Sequence, residues 1–181
     1  VLGMSIPPFS LVDQDGQPVT KESLTGKVTV ANFIFTHCVL VCPAMTDTTS
    51  KVVRRLKETP VRFMSFSVDP EHDTSARLKE FAAIYEADHR VWSFVTGEKG
   101  VVERILTDGL KFGVGPDPNP ANTIKLPEAS GGGTMANILH PAWYVLIGPD
   151  AKVLGIYSSS NPAQVDLLVQ RARAAANALP R

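Results

Sequence analysis

Cysteine is scarce in this chain. Two of 181 residues are cysteines, Cys38 and Cys42. Two thiols exclude a disulfide-dense scaffold of the kind small secreted domains use. They also exclude a structural zinc site built from two cysteine pairs. Neither sign of charge is in excess, with Lys plus Arg and Asp plus Glu at 18 each. That removes the bulk electrostatic case for nucleic acid or an acidic membrane surface as partner. No apolar run is long enough to span a bilayer, and no basic-then-apolar leader opens the chain. The first residue is Val1 rather than Met, so the expectation is that an upstream segment, a signal or an anchor, has been removed.

What is present is ordinary globular composition, 44% apolar and 20% charged. The length suffices for a sizeable core, and one domain over residues 1–181 is expected. "PPFSLVDQDGQPVT" reads as a hairpin, with Phe9, Leu11 and Val19 strand-like around a two-residue turn at Asp15-Gly16. From Lys27 to Phe35, "KVTVANFIF" is apolar on both parities, the pattern of a strand buried on both faces. Pro43 suits a helix's first turn, Val52, Val53 and Leu56 continue that helix, and Thr59-Pro60 stops it. A second strand spans Val61 to Val68 and ends at the Asp69-Pro70 turn. Helices are expected over Thr74–Glu86, Lys99–Leu110 and Pro162–Leu179, a short strand at "VWSFV", and a closing hairpin around Pro149-Asp150. Alternating strands and helices give an α/β fold with a mostly parallel central sheet flanked by helices, made mixed by the last hairpin. Gly115 to Gly133, rich in proline and glycine, reads as a long loop without a packed core element. It is expected to be a mobile flap that flanks the site and meets a partner.

The chemistry concentrates at Cys38 and Cys42. They lie between the first central strand and the next helix, at the carboxyl edge where α/β sheets bind ligands. A helix start favours negative charge, and hence a thiolate. Spacing of i, i+4 brings two sulfurs within one turn, where they can join as a disulfide or hold a metal ion. As a mere staple the pair would be weak, because so short a loop restrains little of the unfolded chain. A dithiol reductase usually shows Cys-x-x-Cys, one residue shorter. The peroxidase pattern Pro-x-x-x-Thr-x-x-Cys is absent, since Val39 and Phe35 stand at its Thr and Pro positions. Two soft sulfurs favour Cu(I) and also suit zinc, and an added imidazole permits Cu(II). Four histidines are available. His37 adjoins Cys38 but points differently in an extended segment; His72 and His89 read as polar loop residues. His140 stands directly before a strand whose start can reach the same sheet edge.

"FIFTHCVLVCPAMT", "FSVDPEHDT" and "ILHPAWYVLIGPD", in this order, resemble the Sco/SenC family, thioredoxin-like copper proteins that help assemble the dinuclear copper centre of cytochrome c oxidase. The similarity runs from the first hairpin to the last helix. It implies a thioredoxin-like fold. It also implies one copper ion, Cu(I) or Cu(II), held by Cys38, Cys42 and His140. The same two cysteines would form a redox pair that binds copper when reduced and closes to a disulfide when oxidised. The implied partner is the copper-site subunit of cytochrome c oxidase or another copper chaperone, with no nucleic acid. The protein is expected to be a monomer on the periplasmic side of the bacterial inner membrane, anchored by an upstream segment or soluble there. The role is that of a metallochaperone rather than an enzyme; the rival is a thiol–disulfide oxidoreductase or redox sensor that carries no copper.

The chain departs from the family pattern. Leu139 stands where many relatives place an acidic residue before the ligand histidine, which removes a candidate partner for that imidazole. Val39, Leu40 and Val41 replace a frequent Pro-Asp pair, and this apolar bridge is expected to shift the redox potential. Thioredoxin-like folds often have a cis-proline where Pro141 stands, yet relatives lack proline there, and the trans bond is expected. Asp69 reads as a turn residue with Pro70, Met45 and Met135 as core filling or exposed rather than ligands, and Trp92 and Trp143 as core.

Overall fold

Three parallel strands with apolar side chains on both faces organise the chain. The computed structural model describes residues 3–38 and 42–181. Strands β1 (Ser10–Asp13) and β2 (Pro18–Thr20) form the first hairpin. Its loop covers four residues rather than the expected two. The Asp13 carboxylate accepts from the backbone N–H groups of Asp15 and Gln17, both at 2.9 Å, and so caps the wider turn. Strand β3 (Thr29–Ile34) is buried throughout, as its double-parity pattern requires.

Helix α1 (Cys42–Arg55) follows, then β4 (Arg62–Ser67), α2 (Ser75–Ile84) and β5 (Trp92–Thr96). The Thr74 hydroxyl accepts from the N–H of Arg77 at the start of α2 and caps it. The helix expected from Lys99 is α3 (Val101–Arg104). It widens into a π turn over Ile105–Gly109, where Leu110 N–H donates to Ile105 C=O. Four two-residue strands come next: β6 (Gly115–Pro116), β7 (Ile124–Lys125), β8 (Thr134–Met135) and β9 (Ile138–Leu139). Strands β10 (Trp143–Ile147) and β11 (Val153–Ser158) and helix α4 (Pro162–Asn177) close the chain.

The main sheet has the order β11-β10-β3-β4-β5-β1-β2. The β3-β4-β5 pairs are parallel, and β10 and β1 flank them antiparallel. Side chains alternate between two cores. Val30 and Ile34 point to the side of α1, α2 and α4, with Leu56, Leu78, Trp92 and Leu168. Ala31 and Phe33 point to the side of the first hairpin and α3, with Leu11, Phe66 and Leu106.

Residues 115–139 correct the expectation of an unpacked loop. β7 pairs with β8 and β6 with β9. Ile124 and Leu126 are buried, Ile124 within the α1-side core. Asp117 anchors the segment by accepting from Asn119 N–H and from the Asn122 and Asn137 side-chain amides. Trp143 is a second correction. It is 42% exposed and meets Phe112 edge-on, because it is the first residue of β10, at the rim of the sheet. Trp92 is buried as expected.

Candidate metal centre

The register of the sheet explains why residues a hundred positions apart meet. β10 runs against β3, with Val145 opposite Ala31 and Leu146 opposite Val30. Its beginning therefore lies at the end of β3, where the chain passes through Thr36 and His37 to Cys38. Cys42 opens α1. The residues before β10 arrive at the same edge and bring His140 with them. The Cys38 and Cys42 sulfurs and one His140 ring nitrogen all lie within 4.8 Å of one another. Cys42 Sγ is 3.5 Å from His140 Nε2. Both cysteines are buried and His140 is half-buried. No disulfide joins the sulfurs.

The separations suit a single ion. With metal–sulfur and metal–nitrogen bonds of about 2.3 and 2.0 Å, as zinc makes, a 3.5 Å sulfur–nitrogen contact corresponds to an angle of about 110° at the metal. Two thiolates and an imidazole form a soft set that holds Cu(I) and, through the nitrogen, Cu(II).

The surroundings fix these ligands. His140 Nδ1 faces the Pro141 carbonyl at 3.3 Å. A carbonyl only accepts, so this contact puts the proton on Nδ1 and leaves Nε2 free to ligate. The carbonyl stands in for the acidic residue missing at Leu139, which is 49% exposed on β9 and paired with Gly115. The Phe35 ring meets the His140 ring edge-on at 5.7 Å. The His140–Pro141 peptide is trans, as expected. The apolar bridge Val39-Leu40-Val41 lies outside the described residues.

The electrostatics of Cys42 run against the thiolate expected from the helix start. A hydrogen bond with Cys38, burial, and the neighbouring Cys38 charge all push its thiol well above the ordinary value. These outweigh a backbone hydrogen bond at Phe35, which acts in the opposite direction. The metal-free Cys42 thiol therefore keeps its proton at neutral pH.

Asp73 is the supporting residue that the sequence did not single out. It is wholly buried, and its carboxylate accepts from Thr36 N–H at 3.1 Å, Thr36 O–H at 2.6 Å and Ser67 O–H at 2.6 Å. It thereby ties the end of β3, two residues before Cys38, to the end of β4. Burial pushes its carboxyl above the usual range, while these donors pull it back. Its one available signal was an acidic residue just past a central strand. Asp69 serves the turn, as expected, accepting from Asp73 N–H through its carbonyl and holding His72 Nδ1 at 2.8 Å through its carboxylate. His37 points away from the cysteine pair and reaches Ser130. His89 binds the Trp92 carbonyl. Met45 is core filling beside Cys42 in the α1-side cluster, and Met135 is half-buried against it.

A second feature missed in the sequence lies beneath the site. Trp92 N–H donates to Ser65, Ser65 O–H to Asn32, and Asn32 N–H to Thr49, whose hydroxyl meets Tyr144 O–H at 2.8 Å. This buried chain runs across the sheet from β5 through β4 and β3 to α1 and β10. It spans the elements that carry all three candidate ligands.

Comparison with known proteins agrees with this architecture. A profile of the SCO1/SenC family matches residues 4–175. The SCO1 protein homolog of Bacillus subtilis is 34% identical over 96% of this chain and 84% of its own length. Among solved structures, BsSco is a Sco-family cytochrome c oxidase assembly protein in which a disulfide switch was identified. It superposes with a TM-score of 0.77 at 33% identity, covering 98% of this chain and 96% of that one. Copper-bound ScoI of Bradyrhizobium japonicum superposes with a TM-score of 0.71 at 25% identity, covering 94% and 99%. The fold is thioredoxin-like, and the chain belongs to the SCO1/SenC family.

Proposed function

We propose that Cys38, Cys42 and His140 bind one copper ion and that the chain serves cytochrome c oxidase assembly, by carrying copper to the oxidase copper site or by reducing that site's cysteines. The observation that carries this reading is the convergence of two buried sulfurs and an imidazole nitrogen within 4.8 Å. Relatives named for oxidase assembly and for bound copper support it. The site lies at the sheet edge, with half-buried His140 on the approach side and Trp143 and Leu139 exposed beside it. That apolar rim fits docking of the copper-site subunit or another copper chaperone. The chain acts as a monomeric single domain on the periplasmic side of the bacterial inner membrane. Among the described residues no helix is long and apolar enough to cross a membrane, so an anchor would lie elsewhere.

Closeness of the two sulfurs also favours a second reading, thiol–disulfide exchange without copper. Disulfide formation needs only the two sulfurs, whereas tight Cu(II) binding also needs the imidazole. His140→Ala is expected to lose the Cu(II)–thiolate absorption band and to weaken Cu(I) binding while Cys38 and Cys42 still oxidise to one another. Anaerobic titration of reduced wild type and variant with both copper states, with free thiols counted afterwards, checks this. An unchanged Cu(II) spectrum removes His140 from the ligand set. Oxidation of the wild-type dithiol by Cu(II) with no defined band favours the second reading.

A further inference from the structure

Beside the cysteine pair, on the other side of the Thr36–Cys38 turn, a second set of ligand atoms converges. Ring nitrogens of His37 and His72 and a carboxylate oxygen of Asp69 all lie within 4.8 Å of one another. The two imidazoles meet edge-to-face, 5.5 Å between centroids. Asp69 is buried and His72 half-buried.

Three features distinguish this set from an ordinary polar cluster. His37 is only 6% exposed, and its Nε2 contacts Ser130 Oγ at 3.1 Å. Its Nδ1 is buried with no hydrogen-bond partner among the described residues. A buried polar atom left unpaired costs about 1–3 kcal/mol, and a cation would satisfy it. Second, Asp69 and His72 line a cavity of about 310 Å³ that also takes in Glu71, Glu98 and Glu103, Glu71 being paired with Lys99 at 2.9 Å. A cation thus has an acid-lined way to Asp69 and His72. Third, the set holds no sulfur, so its chemistry differs from that of the cysteine site. Two imidazoles and one carboxylate suit a borderline divalent ion such as Zn(II) or Cu(II), and offer little to Cu(I).

We infer that His37, Asp69 and His72 form a second metal site, specific for a divalent cation and separate from the Cys38-Cys42-His140 centre. Ligand atoms around a tetrahedral zinc stand about 3.3–3.5 Å apart. His72, with a side chain 24% exposed, has room to swing inward and close the set. His37 and Cys38 are consecutive, so an ion here pins the turn that presents one copper ligand. The reduced protein would then hold two ions of different hardness on one sheet edge.

The test uses the full chain with both cysteines replaced, Cys38→Ser/Cys42→Ser, which removes the soft site and leaves the second intact. Calorimetric titration with Zn(II) is expected to show one ion bound. Adding His72→Gln, or separately Asp69→Asn, is expected to weaken binding at least tenfold. Adding His140→Ala is expected to leave it unchanged. Co(II) should give a d–d spectrum from the same background, lost with His72→Gln. Urea unfolding of each variant checks folding, and half-buried His72 is the substitution least able to disturb it. No Zn(II) uptake by the double-serine protein overturns the inference. So does uptake that survives both His72→Gln and Asp69→Asn, or uptake lost with His140→Ala. The copper reading stands or falls separately, on Cu(I) and Cu(II) titration of the cysteine-containing protein.

Discussion

The turn that presents Cys38 is held in place by the Asp73 carboxylate. Thr36 gives Asp73 both its N–H and its O–H, and Ser67 gives a third donor. Arg77 in turn donates to the Thr36 hydroxyl at 3.1 Å. Asp73→Ala would leave the Ser67 and Thr36 donors unpaired in a dry interior. The expected loss is about 1–3 kcal/mol of stability, read as a lower urea midpoint with unchanged slope. It is also expected to weaken Cu(I) binding without abolishing it, because both thiols remain while the turn before Cys38 loosens. Competition against a Cu(I) chelator checks that part. The sequence disclosed the candidate ligands at this scale because cysteine and histidine are scarce and their chemistry is specific. It did not disclose Asp73. Aspartate is common, and its role exists only where Thr36, 37 positions earlier, folds back onto it. His37 lay between these cases: its type was visible, but its direction was set by Ser130, 93 positions away.

At the scale of elements, strands β3, β4 and β5 and helices α1, α2 and α4 were legible from periodicity, because runs buried on both faces and amphipathic helices leave strong local patterns. Residues 115–139 were not. Their prolines and glycines describe the backbone correctly, with short ladders and tight turns, but conceal that Ile124 and Leu126 reach the core. Two apolar residues in a polar stretch carry no periodic signal. Through the β6–β9 pair the same segment fixes Leu139, the residue before His140. A flap independent of the metal would be dispensable for affinity; a packed segment is not. Ile124→Ala is expected to cost about 2–5 kcal/mol, the usual range for emptying a buried isoleucine. With the proposed ligand set, it should also weaken Cu(II) binding, for which the His140 imidazole matters most, more than Cu(I) binding, which the two thiolates would dominate. Equal weakening of both, or none, would show that the segment does not position His140.

Across the whole molecule, the two cores share one sheet, and the polar chain from Trp92 to Tyr144 runs through the α1-side core. Nothing in the sequence could reveal it, since each member looks like an ordinary Ser, Asn, Thr or Tyr until the sheet order aligns them. Its end at Tyr144 makes a global property measurable. Tyr144 is fully buried, its hydroxyl lying between Thr49 and the Met45 carbonyl. Burial pushes its phenol from 10.0 up to about 12, against the smaller opposing effect of the Thr49 hydrogen bond. Between those two values the native state keeps a proton that the unfolded chain has released. Stability therefore falls as pH rises through that window. This contribution is intact below 10.0 and gone once the pH passes about 12. Tyr144→Phe removes both the hydrogen bonds and the titration. It is expected to be less stable than wild type by about 0.5–1.5 kcal/mol at neutral pH, with the gap closing and then reversing as pH climbs from 10.0 toward 12. Urea unfolding of both proteins across that range tests the slope, and tyrosinate absorbance tests its origin. The wild type should show a late ionising step that the variant lacks. A constant stability gap with no late step would mean that Tyr144 meets solvent and that the polar chain does not close at the β10 end.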